Sequence, residues 1–64
     1  MDIGNVIKAL RNGGFVRRSS WAEDIKLLLP PGKGLIMILH PQLGQATWSP
    51  SVDDILADDW GLAL

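Results

Sequence analysis

A chain of 64 residues that contains no cysteine has few ways to hold itself together. A domain this short buries only about 60% of the surface its unfolded chain exposes. Small scaffolds therefore usually add disulfides, a structural metal or a second subunit. Disulfides and thiolate zinc sites are excluded by composition. The only histidine, His40, leaves too few ligands for a His-based metal site within one chain. Oligomerisation or a very efficient core remains; the expectation favours the first, a single domain over residues 1–64 that works as a homo-oligomer.

The remaining bulk properties narrow the class. Hydrophobic residues make up 47% of the chain and charged residues 20%, the balance of a globular protein and not of a disordered one. No apolar run approaches the roughly 20 residues that cross a bilayer. Met1-Asp2-Ile3-Gly4 lacks the basic and apolar regions of a signal peptide, so a cytoplasmic location without membrane attachment is expected. The net charge of −1 hides a division. Lys8, Arg11, Arg17, Arg18, Lys26 and Lys33 all precede residue 34, opposed there by Asp2, Glu23 and Asp24 alone. The rest of the chain carries Asp53, Asp54, Asp58 and Asp59. This division suits either attraction between subunits, basic groups around an anion, or two ordinary solvated faces. It argues against an extended DNA surface, which needs many phosphate contacts.

Periodicity sets the elements. Ile3, Val6, Ile7 and Leu10 follow helical spacing, with Asp2 as a cap, Lys8 and Arg11 towards the C-terminal end, and Gly13-Gly14 as a stop. Phe15–Arg18 reads as a short strand and Ala22–Asp24 as a turn. Ile25–Leu29 reads as a strand closed by the break at Pro30-Pro31-Gly32-Lys33-Gly34. Leu35–Leu39 is a continuous apolar run of strand length, either a subunit interface or a central strand beneath the first helix. Ala46–Trp48 suits a further strand. Ser51 and Asp54 have capping-box spacing at the start of a second helix with Val52, Ile55 and Leu56 as its stripe. Trp60–Leu64 suits a closing strand. The fold class expected is α+β: a small antiparallel sheet with an N-terminal helix and a short second helix near the C-terminus.

Few residues invite chemistry. The aspartates at 53, 54, 58 and 59 match no calcium loop, and capping plus a solvated face accounts for most of them. His40 and the serines lack the partners of a general base or nucleophile, so no enzyme and no cofactor are expected. Three tryptophans with a single phenylalanine and no tyrosine are more telling. Trp60 reads as a core anchor. Trp21 and Trp48 stand beside Ser19, Ser20, Ser49 and Ser51, with Arg17 and Arg18 close to Trp21. Indole faces, guanidinium groups and hydroxyls are what base, phosphate and ribose require. Packing anchors remain an equal account of both indoles.

The opening, Ile3-Gly4 through Ala9-Leu10, Gly13, Val16-Arg17-Arg18 and Trp21, resembles that of a family of small phage proteins. The ending, Trp48-Ser49-Pro50-Ser51-Val52-Asp53-Asp54-Ile55-Leu56-Ala57-Asp58-Asp59-Trp60, is similar to the same family's closing signature. The family is the second type of Thoeris anti-defence protein. Its members act as sponges, typically dimers of dimers, that bind cyclic ADP-ribose signals without cleaving them. Some relatives also take cyclic dinucleotides of the CBASS systems. The resemblance implies that Trp21 and Trp48 line a ligand pocket at a subunit interface, with Ser51 and Asp54 nearby. Arg17 and Arg18 match the family's basic stretch, and their charge suggests phosphate partners. The segment between Trp21 and Trp48 is shorter than is usual in the family. The expected function is therefore sequestration of a cyclic nucleotide second messenger. A protein-interaction module using the apolar run is the alternative, ahead of a hydrolase built on the terminal aspartates and of a nucleic-acid binder.

Overall fold

A computed structural model of the chain describes residues 1–32 and 34–63. The elements run α1 (Ile3–Arg11), β1 (Phe15–Arg18), β2 (Lys26–Leu28), β3 (Met37–His40), β4 (Gly44–Thr47), α2 (Val52–Leu56) and β5 (Trp60–Ala63). The five strands form one antiparallel sheet in the order β4-β3-β2-β1-β5. This is the α+β class that the sequence leads one to expect. Lys33, within the expected chain break, and Leu64, at the end of the expected closing strand, lie outside the described residues.

Local chemistry accounts for the ends of α1. The Asp2 carboxylate accepts the Asn5 N–H at 2.9 Å, satisfying one of the helix's orphan donors. At the other end Gly14 N–H donates to Ala9 O and Gly13 N–H to Leu10 O, the paired bonds of a Schellman motif. Gly13 takes φ +83°, the left-handed step that this motif needs.

The register assigns side chains to faces, because residues paired across antiparallel strands point the same way. Val16 faces Leu27, Leu27 faces Ile38, and Arg18 faces Trp60. On that side Val6 and Leu10 of α1 pack onto Val16, Leu27 and Trp60 to make the core. Four of these side chains, Val6, Leu10, Val16 and Leu27, are fully enclosed, each contributing about 1.5–3 kcal/mol. The opposite side carries Phe15, Arg17, Lys26, Leu28, Met37, Leu39, Gln45 and Thr47, and neither helix packs there. Lys26 Nζ lies 4.8 Å from the Phe15 ring centroid on this side, part-covering it.

The apolar run Leu35–Leu39 resolves into two environments. Leu35 is outside the strand and half-exposed, Ile36 and Ile38 pack against the core, and Met37 and Leu39 lie on the helix-free side. Its continuous apolarity thus reflects one side facing a core and the other lying open. His40 closes the turn that follows, its Nδ1 accepting the Gln42 and Leu43 N–H groups at 3.2 Å each.

Candidate functional site

The polar and aromatic residues singled out by the sequence gather where β1, β5 and α2 meet. Trp60, on β5, is buried, and the other two indoles meet it edge-on. Trp21 approaches at 5.3 Å between centroids and 78° between planes, Trp48 at 5.8 Å and 86°. Trp21 follows a turn closed by its N–H donating to Arg18 O, and Trp48 extends the β4 ladder by donating to Ile36 O at 2.8 Å. Both outer tryptophans are half-buried and packed against the core cluster. Edge-to-face contacts of this kind add about 0.5–1.5 kcal/mol each beyond area burial.

Asp54 organises the polar side. Its N–H donates to Ser51 Oγ while its Oδ2 accepts the Ser51 N–H, each at 3.2 Å, so the capping box forms with Asp in the usual place of Glu. Its Oδ1 accepts Arg18 Nη1 at 3.0 Å, and its main-chain oxygen accepts Trp60 Nε1 at 3.0 Å. Arg18 also donates through Nε to Asp59 Oδ1 at 2.8 Å. The second oxygen of Asp59 accepts the Ser19 hydroxyl and the Ser20 N–H. β1, α2 and the approach to β5 are thereby tied by one guanidinium.

These contacts set the protonation states. The Arg18 hydrogen bond, then Ser19, the Arg18 charge and the Ser20 N–H, outweigh desolvation and hold Asp59 down at about 2. For Asp54 desolvation is the largest single influence and acts upwards. The Ser51 amide, Arg18 and the Ser51 hydroxyl together overcome it, leaving the carboxyl below its ordinary value. Hydrogen bonds from Arg18 to Asp59 and Asp54 raise the guanidinium further above its already high value.

The six expected ligand residues therefore have different occupations. Trp21 and Trp48 are half-buried against Trp60. Arg17, which shares its strand with Arg18 but projects to the helix-free side, donates through Nη2 to Trp21 O. Its Nε is enclosed and has no partner. Arg18, expected as a phosphate partner, already has two carboxylates against it, so its charge is matched within the chain. Ser51 and Asp54 hold the first turn of α2. The Arg18–Asp54–Asp59 group escapes sequence reasoning because its members stand 36 and 41 positions apart. The only sequence signal was the excess of basic residues early and of aspartates late.

Three hollows of the surface are lined by none of the tryptophans. One of about 240 Å³ sits between α1 and the Pro30-Pro31 turn, one of about 370 Å³ by Arg17, Glu23, Leu62 and Ala63, and one of about 320 Å³ by Pro30, Leu35, Met37, Gln45 and Thr47. Among the described residues no group of three or more His, Asp or Glu side chains is placed to hold a metal ion, and no helix is long and apolar enough to cross a membrane.

The geometry defines a small α+β protein whose aromatic and charged groups converge on one end of its sheet. The family model described as Tad2-like, the Thoeris anti-defense 2-like domain, matches residues 1–63, and the chain belongs to that family of anti-defence proteins. A comparison with curated proteins found no match.

Proposed function

We propose that this protein is a sponge: it binds a cyclic nucleotide immune signal, of the cyclic ADP-ribose or cyclic oligonucleotide kind, and withholds it without cleaving it. The observation that carries the reading is the pair of half-buried indoles, Trp21 and Trp48, each packed edge-to-face against buried Trp60 in a member of the Thoeris anti-defence family. A braced indole is a low-entropy platform for a base, worth about 1–3 kcal/mol per stacked base. Of the two arginines expected at phosphate, Arg18 is matched by Asp54 and Asp59, and Arg17 stands on the helix-free side with Nη2 on Trp21 O, so a phosphate reaches it from that side. Ser51, Asp54 and Arg18 act one step back, fixing α2 beside the indoles. A homo-oligomer, built as a dimer of dimers, turns this surface into a pocket by laying a second subunit against it.

The reading is non-enzymatic. The two best-placed carboxylates, Asp54 and Asp59, are held ionised by Arg18 and backbone amides, so neither offers a proton near neutral pH. The test is thermal melting against cyclic ADP-ribose isomers and cyclic di- and trinucleotides. A ligand that binds only the folded state stabilises it by about 2.7 kcal/mol at 100 times its dissociation constant. Bound ligand released by heat should return intact. Failure of every ligand in the panel to move the melting point sinks the proposal.

One observation favours a second reading, a protein-docking module. Val52, Ile55 and Leu56 of α2 are all exposed, Leu56 at 77%, an unusual outward stripe for so short a helix. Trp21→Ala separates the two. A sponge loses its ligand and keeps its subunit mass, whereas a docking module keeps any nucleotide response and loses a protein partner.

A further inference from the structure

The two edges of the sheet differ. The outer side of β5 is partly occupied, since Trp60 O accepts the Met1 ammonium group at 2.8 Å. β4 (Gly44-Gln45-Ala46-Thr47) is exposed at every residue, carries no charge and no proline, and has no covering segment among the described residues. Natural edge strands are usually blunted by one of those devices, because a bare row of N–H and C=O groups is a template for another strand.

The register shows which groups are bare. Trp48 N–H donates to Ile36 O, so Ala46 and Gly44, alternating with it, also turn their backbone groups towards β3. Gln45 and Thr47 then turn theirs away from the sheet. A second copy of this strand can meet them only in a register that places outward residues opposite outward residues. A two-fold axis at Ala46 does this. It sets Gln45 against the partner's Thr47 and Thr47 against the partner's Gln45, giving four backbone hydrogen bonds.

We propose that β4 pairs antiparallel with β4 of a second copy about a two-fold axis at Ala46, joining two five-stranded sheets into one of ten strands. The side chains fit that register. Ala46 meets the partner's Ala46 in a non-hydrogen-bonded pair, where Cα atoms come within about 4.5 Å and small side chains suit the approach. Trp48 falls opposite the partner's Gly44, where a Cβ would meet nothing within 4 Å, so space is open for the indole. No like charges oppose one another, because the strand has none. The hollow by Pro30, Leu35, Met37, Gln45 and Thr47 reaches this edge, so the partner's Gln45 and Thr47 complete its rim. The seam also continues the helix-free apolar side from one subunit into the next. The inference rests on the oligomer part of the sponge reading and not on the ligand.

Two substitutions test it without ligand. Thr47→Pro removes one outward donor and no bond to β3, a change edge strands tolerate. The oligomer mass, read by sedimentation against a chain mass of 7.0 kDa, should fall at least twofold while circular dichroism still shows the fold. Ala46→Cys gives the chain its only thiol. A spacing of about 4.5 Å lies within disulfide range, so the variant should crosslink symmetrically under mild oxidation, much faster than Asp53→Cys on exposed α2. A wild-type protein that is monomeric at high concentration, a folded Thr47→Pro protein of unchanged mass, or Ala46→Cys crosslinking no faster than Asp53→Cys would each overturn the pairing. Ligand binding by a monomeric protein would retire this seam and leave the sponge reading standing. A dimer with this seam and no ligand would do the reverse.

Discussion

Replacing Trp60 with leucine tests whether the three indoles behave as one packed unit. The substitution keeps an apolar side chain in the core but removes the Nε1–H bond to Asp54 O and both edge-on contacts. A net hydrogen bond is worth about 0.5–1.5 kcal/mol, and each aromatic pair about 0.5–1.5 kcal/mol. The loss centres near about 3 kcal/mol from these contributions, before any cost of the volume removed. A chain of 64 residues has about 3–10 kcal/mol of stability in all. At about 4–8 °C per kcal/mol for a domain of this size, the melting temperature should drop by about 12–24 °C. Circular dichroism at one fixed protein concentration reads it. A second variant sharpens the point: Trp21→Leu should cost about 0.5–1.5 kcal/mol less in the Trp60→Leu background than in the wild type, because the shared contact is already gone. A drop below about 4 °C, or strict additivity of the two substitutions, would refute the cluster as described.

Three further outcomes follow from particular contacts. Asp59 and Asp54 have folded-state values below their ordinary 3.8, so the stability they add is complete above that value and is lost as pH falls towards about 2. Melting temperature should decline across that window, and Asp59→Asn should flatten the decline. Ser51→Ala removes one half of the capping box and should cost about 1 kcal/mol, read as a melting shift of about 4–8 °C. Gly13→Ala puts a Cβ on a residue at φ +83° and should cost about 1–2 kcal/mol by denaturant titration, whereas Val52→Ala on exposed α2 should change little.

What the sequence revealed and what it concealed divide by range. The first helix, its Asp2 cap, its Gly13-Gly14 stop and the Ser51–Asp54 box all depend on residues within a turn or two of each other, and each was legible. Strand existence was legible too, but edges moved. Leu35 and Ile36 fall outside β3 and His40 inside it, where its imidazole accepts the amides of the turn that follows. β4 begins at Gly44, which only a left-handed turn residue explains. Long-range facts were hidden: that β1 lies between β2 and β5, and that Arg18 spends its charge on Asp54 and Asp59. Sequence placed Arg17 and Arg18 together as phosphate partners. Alternation along β1 sends them to opposite sides of the sheet, and that alone gives them different work. Trp21 and Trp48 are packing anchors, each half-buried against Trp60, and their use as platforms belongs to the proposed function.

Strand order also bears on how the molecule is made. β1 emerges early, yet one of its two neighbours is β5, with Val16 waiting for Leu62 and Arg18 for Trp60. Until residues 60–63 have left the ribosome, the core lacks its largest side chain and β1 keeps a bare flank. The half-made chain can form α1, but it cannot close the core. Closing the core pairs distant segments, and until it closes the chain exposes apolar surface that its finished form covers.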